Sequence, residues 1–371
     1  MWNRLVLQLF LFVFRIAARI WPPKPVQLSR LTLERILIFS AAGIGDTLTD
    51  SVAVGAIKSS HPLAQVAVVA HAKRAMLVEH NPLVNQVIPY RKNPFRFFTL
   101  VRELRRFHPD LIVMLRGNDP DLWPLAYLVN RDAILSTPRM TRFGFLISHP
   151  RELPDWDQTH GVQQTLDLVK PIAPGTGDVR IVYQVKKIEA DNVYQKLLNQ
   201  VGIDPRTSVV FQLGGGARSA WRDWPAEHWV ELGKRLVAGY QVNLLLTGGP
   251  EHRATEHAVL MGVPDAVSLI GKLGLAEVAA LLTWTPILVS TDTGVMHLGF
   301  AVCRSVLALI HCNNPWNRVG PYGYGDQHLV AQLEPREGEA VSTAVDMAGL
   351  TPDQVWPLLE YLCQRAGILS R

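Results

Sequence analysis

The sequence predicts an α/β protein of two Rossmann-like domains whose parallel sheets face one cleft that binds a phosphorylated ligand. Its 371 residues exceed what one hydrophobic core usually serves, so two domains of comparable size are expected. From Arg35 onward short apolar runs alternate with longer amphipathic ones, the signature of strands joined by crossover helices. Two glycine-bearing turns, Gly43-Ile44-Gly45-Asp46 and Asp292-Thr293-Gly294, follow predicted strands, and open parallel sheets bind ligands at such strand ends.

In the first half the apolar runs place strands over 36–39, 66–70, 87–88, 111–115 and 133–135, with helices over 47–59, 73–80, 95–107 and 122–129. The alternation pauses over 138–156, resumes as a helix over 162–169, and reaches Pro171-Ile172-Ala173-Pro174-Gly175-Thr176-Gly177. That Pro/Gly-rich stretch is the expected boundary between domains. Beyond it the spacing predicts strands over 209–213, 242–247, 267–270, 287–290 and 306–310. Helices are expected over 227–237, 251–261, 275–283 and 294–302, with a last one over 352–366. The chain thus reads as an N-terminal helix and linker over 1–30, a first domain over 31–175 and a second over 176–371.

Hydrophobic residues make up 48% of the chain and charged ones 19%, a globular composition that excludes a long disordered region. The net charge of +5 suits an anionic ligand or a membrane surface, while no basic run marks a nucleic-acid face. Cys303, Cys312 and Cys363 form no CxxC pair, so a reducing cytoplasmic location is expected and no metal site is called for. The segment 5–20 is almost wholly apolar but short for a membrane span. On a helix Arg4, Gln8, Arg15 and Arg19 form one polar stripe, which reads as an in-plane membrane-surface helix ended by Pro22-Pro23. Two other readings stand beside it: a signal peptide, which lacks a clean cleavage site, and a helix packed on the protein's own body.

Asp46 sits where the first strand passes into a helix. It either caps that helix or takes the proton from an attacking hydroxyl as general base. In the second half Gly214-Gly215-Gly216-Ala217-Arg218 and then Trp221-Arg222 follow the strand over 209–213. Such glycines free backbone N–H groups for phosphate oxygens and the arginines neutralise charge, although a flexible turn has the same composition. No Gly-Lys-Ser/Thr follows, which excludes a Walker loop. Thr291-Asp292-Thr293-Gly294 opens a helix whose positive end favours a diphosphate, with His297 one turn on; Asp292 is alternatively a cap and His297 a core histidine. Thr247-Gly248-Gly249-Pro250-Glu251 is a further turn on the same sheet edge, where Glu251 either accepts ribose hydroxyls or complements the helix dipole.

Taken in order, these motifs resemble the ADP-heptose:lipopolysaccharide heptosyltransferases of glycosyltransferase family 9. The resemblance runs from about Arg35 to Gly323 and rests on the Gly43-x-Gly45-Asp46-Thr47 start, Ala56-Ile57-Lys58 and Asn81-Pro82. It continues through Arg222-Asp223-Trp224-Pro225-Ala226-Glu227-His228-Trp229, Thr247-Gly248-Gly249-Pro250, Gly271-Lys272, Asp292-Thr293-Gly294 with His297, and Gly320-Pro321-Tyr322-Gly323. It implies a GT-B fold with an N-terminal acceptor domain and a C-terminal nucleotide-sugar domain. It also implies metal-independent inverting transfer from an ADP-sugar to a lipopolysaccharide-core or other glycolipid acceptor. The basic charge and the amphipathic N-terminal helix, separately, lead to the expectation that this acceptor is met at the cytoplasmic face of the inner membrane. On the basis of the resemblance Asp46 is the general base, with Gly43, Gly45 and Thr47 in the acceptor-side loop. Gly214, Gly215, Arg218, Arg222, Gly248, Glu251, Lys272, Asp292, Thr293, Gly294 and His297 form the donor site. Arg222 stands where the family commonly has a phosphate-binding lysine, which keeps the charge and adds a forked donor.

Competing functions are an NAD-dependent oxidoreductase, a sugar-nucleotide epimerase and a non-catalytic GT-B protein. The first fits poorly, because Leu48 stands where GxGxxG needs its third glycine and His71, not an acid, follows the second strand. The other two share the fold, which does not fix chemistry.

Overall fold

Strand β1 (Arg35–Ala41) is apolar without alternation and buried from its second residue onward, as a central parallel strand covered on both faces must be. The computed structural model describes residues 4–371 except 118, 154 and 176, and for 4–6, 94 and 217–219 it describes the backbone alone. The chain divides into two units, Met1–Val182 and Tyr183–Arg371.

In the first unit β1 is joined by β2 (Gln65–His71), β3 (Gln86–Tyr90), β4 (Leu111–Gly117), β5 (Ile134–Ser136) and β6 (His149–Pro150). The sheet has the order β3-β2-β1-β4-β5-β6 and every pairing is parallel. Its helices are α1 (Arg4–Ile20), α2 (Ile44–Ser60), α3 (Ala75–Glu79), α4 (Phe97–Arg106), α5 (Leu122–Asn130) and α6 (Gly161–Val169). The strand order reverses between β1 and β4, which leaves a crevice beyond their C-terminal ends. A register shift between Phe39 and Ser40 sets Ser40 opposite Arg116. Such bulges re-aim side chains at a strand end. β6 has no counterpart among the strands read from sequence, because two residues of an edge strand, one a proline, carry no periodic signal.

Helix α1 has two apolar faces. Leu11 and Phe14 are buried in the core of the first unit, with Leu7, Phe10, Ala17 and Ala18 packed against it. The Tyr127 hydroxyl donates to the Trp21 carbonyl (2.6 Å) and stands 3.2 Å from that of Ala17, which ties the end of the helix to α5. Leu9, Phe12, Val13, Ile16 and Ile20 lie on the other face and are exposed. The helix therefore packs on the protein's own body and still presents an apolar stripe. Among the described residues no helix is long and apolar enough to cross a membrane.

The segment after α6 is tied to the first unit. His61 Nε2 meets the Ile172 carbonyl (2.7 Å), and the Val182 N–H donates to Ser51 Oγ (2.8 Å). The second unit holds β7 (Ser208–Gln212), β8 (Asn243–Thr247), β9 (Val267–Ser268), β10 (Ile287–Thr291), β11 (Ser305–Ile310) and β12 (Leu329–Gln332). Its order, β12-β11-β10-β7-β8-β9, is the winding of the first sheet read from the opposite edge. Helices α7 (Lys187–Lys196), α8 (Ala226–Gly239), α9 (Arg253–Gly262), α10 (Leu275–Trp284), α11 (Gly294–Val302), α12 (Trp316–Val319) and α13 (Pro352–Ala366) complete it. The sequence gives no sign of α7, whose ten residues bury only Ala190 and Val193. Two six-stranded parallel sheets covered by helices are the α/β, twice Rossmann-like architecture expected from the alternation of runs.

The Arg222–Trp229 motif is partly structural. Trp224 and Trp229 are fully buried and meet edge-on at 5.0 Å, Trp229 packs on Phe211, and Trp224 Nε1 donates to the Leu350 carbonyl (2.7 Å). Truncating so large a buried ring leaves a cavity, so Trp229→Ala is expected to lower stability by about 3–5 kcal/mol in urea unfolding.

Candidate active site

In the first unit the switch point gathers charge around one arginine. Gly43 is the N-cap of α2, and Asp46, in its first turn, accepts the Gly43 N–H at Oδ2 (3.3 Å). A Cβ on Gly43 would stand 3.1 Å from that oxygen, so glycine permits the approach. The other oxygen, Oδ1, accepts Arg116 Nη1 at 2.9 Å, and the Asp46 side chain is 50% exposed. One carboxylate oxygen thus caps the helix and the other pairs with Arg116, while the side chain stays half-exposed. Gly45 lies in the same turn, and Thr47 is buried with its hydroxyl donating to the Gly43 carbonyl (2.8 Å).

Arg116, at the end of β4, also donates to Thr49 Oγ1 (2.8 Å) and to the Gly161 carbonyl at the start of α6 (3.3 Å). Its Nη1 lies 3.7 Å from Oδ1 of Asp50, one turn beyond Asp46 and almost fully buried. Ser40 Oγ, brought to this place by the bulge, donates to Asp50 Oδ2 (2.7 Å), and Thr165 Oγ1 stands 3.5 Å from Oδ1. Burial pushes the Asp50 carboxyl up to about 6, with Arg116 and the Ser40 hydroxyl pulling the other way. Sequence reasoning missed Arg116, Asp50 and Ser40. A signal was present: an arginine ending an apolar strand, and two carboxylates four residues apart on one helix face.

In the second unit the corresponding point lies between β7 and β10. A Cβ on Gly214 would fall 2.3 Å from His252 Nε2 and 2.4 Å from Asp223 Oδ1, so only glycine fits there. The Gly215 N–H points at Asp223 Oδ1 (3.4 Å). His252 Nε2 meets Asp223 Oδ2 (3.3 Å), and that hydrogen bond holds the imidazole above its ordinary range. Arg222 stacks on Trp221 (4.5 Å) and forms an ion pair with Asp292 Oδ2 (3.0 Å), the same oxygen that accepts Asn314 Nδ2 (2.6 Å). Asp292 is buried, and the cap of α11 is Thr293, whose Oγ1 accepts the Met296 N–H (3.2 Å). Gly294 is the first residue of α11, and His297 is buried with its ring edge-on to Phe300. Arg222 Nε is buried and finds no partner among the described residues.

Gly214, Gly215, Arg222, Asp292, Thr293, Gly294 and His297 thus belong to the ends of the two strands at the switch point. Gly248 and Glu251 follow the neighbouring β8, with Glu251 exposed on a short 3-10 turn. Lys272 is exposed and turns its ammonium to the Ser268 carbonyl (2.8 Å). The expectation for Arg218 falls on a side chain outside those described. Asp223, His252 and Asn314 complete the constellation; neither His252 nor Asn314 stands in a motif that sequence alone marks as charged or phosphate-binding.

Residues 121–343 match the model of glycosyltransferase family 9 (heptosyltransferase), well over half of the chain. The chain belongs to glycosyltransferase family 9. Among curated members it is similar to the lipooligosaccharide heptosyltransferase 2 of Haemophilus influenzae, 22% identical over 76% of this chain and 84% of the relative. It is likewise similar to the lipopolysaccharide heptosyltransferase 1 of Pseudomonas aeruginosa, 26% identical over 80% of this chain and 83% of the relative. The fold matches the solved ADP-heptose heptosyltransferase II of Escherichia coli with a TM-score of 0.71 and 20% identity, over 89% of this chain and 99% of that one. It also matches a family 9 glycosyltransferase from Veillonella parvula with a TM-score of 0.73 and 17% identity, over 92% and 99% of the two chains. The fold of this family 9 glycosyltransferase is accordingly GT-B.

The raised Asp50 carboxyl has a consequence for stability. Its folded-state value lies above the ordinary 3.8, so the folded chain holds that proton more tightly than the unfolded one. The resulting stabilisation is complete below about pH 4 and is lost as pH rises through about 6. Asp50→Asn removes the burden, and is expected to gain up to about 3 kcal/mol over the wild type between acid and neutral pH, read from urea midpoints across that range.

Proposed function

We propose that this glycosyltransferase moves heptose or a related sugar from an ADP-sugar to a lipopolysaccharide-core or similar glycolipid acceptor, with inversion and without a metal. The observation that carries the reading is the half-exposed Asp46 carboxylate, held at the β1/β4 switch point by the Gly43 N–H and Arg116. The relatives named above support the sugar and the acceptor, and a heptosyltransferase of Escherichia coli similar in fold is solved with ADP. Acceptor binding is assigned to residues 31–175, with Gly43, Gly45 and Thr47 shaping its loop, and donor binding to residues 176–371.

In the step itself an acceptor hydroxyl oxygen forms a bond to the anomeric carbon from the face opposite the diphosphate, while Asp46 takes the hydroxyl proton. The bond from carbon to diphosphate breaks and its electron pair leaves with the diphosphate. The transition state is oxocarbenium-like, so negative charge grows on the leaving group. The unpartnered Arg222 N–H and the positive end of α11 at Gly294 stabilise that charge, with Gly214, Gly215, Arg218, Lys272 and His297 around the diphosphate. Asp292 orients Arg222, and Glu251 beside Gly248 accepts from the ribose. Replacing Asp46 by Asn keeps the shape and removes the base. Transfer from ADP-heptose to heptose-deficient lipopolysaccharide core should fall by about 10²–10⁴-fold with ADP-heptose affinity in calorimetry unchanged, and near-normal turnover refutes the assignment.

The exposed stripe of α1, with Arg15 and Arg19 beside it, supports a position at the cytoplasmic surface of the inner membrane, where a glycolipid acceptor would be anchored. Phe12→Asp with Ile16→Asp should abolish sedimentation with anionic phospholipid vesicles without moving the unfolding temperature, since both side chains are exposed. Retained sedimentation removes α1 from the membrane contact.

A further inference from the structure

Two carboxylates share Arg116, and only one of them faces solvent. Arg116 Nη1 stands 2.9 Å from Asp46 Oδ1 and 3.7 Å from Asp50 Oδ1, and its side chain is 16% exposed. The charged groups facing Asp50 are Asp46 from its own helix and Arg116 from β4, while β1 and α6 face it with the Ser40 and Thr165 hydroxyls. A largely buried guanidinium left without an anion is costly. When Asp46 is protonated, its hold on Arg116 is lost.

We propose that Asp50 is a positioning residue for the base: it becomes the counter-ion of Arg116 when Asp46 takes up the acceptor proton. The inference rests on the assignment of Asp46 as base. With Asp50 ionised, Arg116 keeps an anionic partner throughout the step. With Asp50 neutral, proton uptake by Asp46 strands the guanidinium, and transfer slows. The proton moves only from the acceptor hydroxyl to Asp46; Arg116 and Asp50 exchange none during the step. The Ser40 hydroxyl, donating to Asp50, favours the ionised form.

The sign of the pH dependence follows. Transfer rises with pH as Asp50 ionises, near pH 6. In the wild type, transfer from ADP-heptose to heptose-deficient lipopolysaccharide core should climb roughly tenfold through this limb. Asp50→Asn should stay at the acid level, about tenfold below the wild type at neutral pH, with KM for ADP-heptose unchanged and the limb gone. A purely structural role for Asp50 predicts no loss of the limb, and an Asp50→Asn enzyme that keeps the wild-type limb overturns the proposal.

A second measurement needs no substrate. In the full chain carrying ¹³C-carboxyl aspartate, the Asp50 resonance is assigned by its loss in Asp50→Asn. Its titration midpoint should fall in Asp46→Asn, where a neighbouring negative charge is removed, and rise in Ser40→Ala, where a donor to the carboxylate is removed. A midpoint unmoved in Asp46→Asn overturns the coupling. Should the wild type transfer no heptose at all, the heptosyltransferase reading fails, while the carboxyl titration still decides whether Asp50 answers to Asp46.

Discussion

Parallel strand pairing is the constraint on which the rest of this structure depends. Parallel neighbours cannot be joined by a tight turn, so each strand must feed a crossover that packs on a face of the sheet. Both sheets wind outward from their central pair, β1 with β4 and β7 with β10, so the crossovers on either side of that point lead away from each other. The candidate site side chains of each unit collect there. Asp46, Arg116 and Ser40 come from the ends of β1 and β4 and the start of α2, and Arg222, Asp292 and Gly214 from the ends of β7 and β10.

The two units solve one electrostatic problem in related ways. Each buries an aspartate at its switch point, Asp50 in the first and Asp292 in the second, and sets a single arginine beside it. An isolated buried carboxylate is expensive, so the arginine and a neutral donor, Ser40 or Asn314, hold each in place. The arrangements differ in one respect. Arg116 reaches a second carboxylate that is open to solvent, whereas Arg222 keeps a buried N–H without an acceptor among the described residues.

Helix α1 shows how one amphipathic segment can dock on the protein's own body and still present an exposed apolar stripe. Its residues at helical spacing form an apolar face that docks on the core through Leu11 and Phe14 and a second that does not, through Leu9, Phe12, Val13, Ile16 and Ile20. A wheel of the sequence gives a broad apolar arc beside a polar stripe. How that arc splits between protein and surroundings depends on where Tyr127 and Phe97 stand, and those belong to elements far along the chain.

The sequence by itself determined the alternation of strands and helices, hence the doubly wound α/β class, and the glycine turns at strand ends that carry Asp46 and Asp292. These are local properties: apolar runs long enough to cross a sheet, and glycines where backbone must approach. It left β6, β12 and α7 unmarked, because short edge strands and a mostly polar helix have little periodicity to read. Only the tertiary structure decided that Arg116 is the partner of Asp46 and Asp50, that Thr293 and not Asp292 caps α11, and that His252 meets Asp223 across Gly214. Arg116 lies 70 residues from Asp46 along the chain. Their meeting follows from the β1–β4 register and its bulge, which the pairing of whole strands sets and no local spacing records.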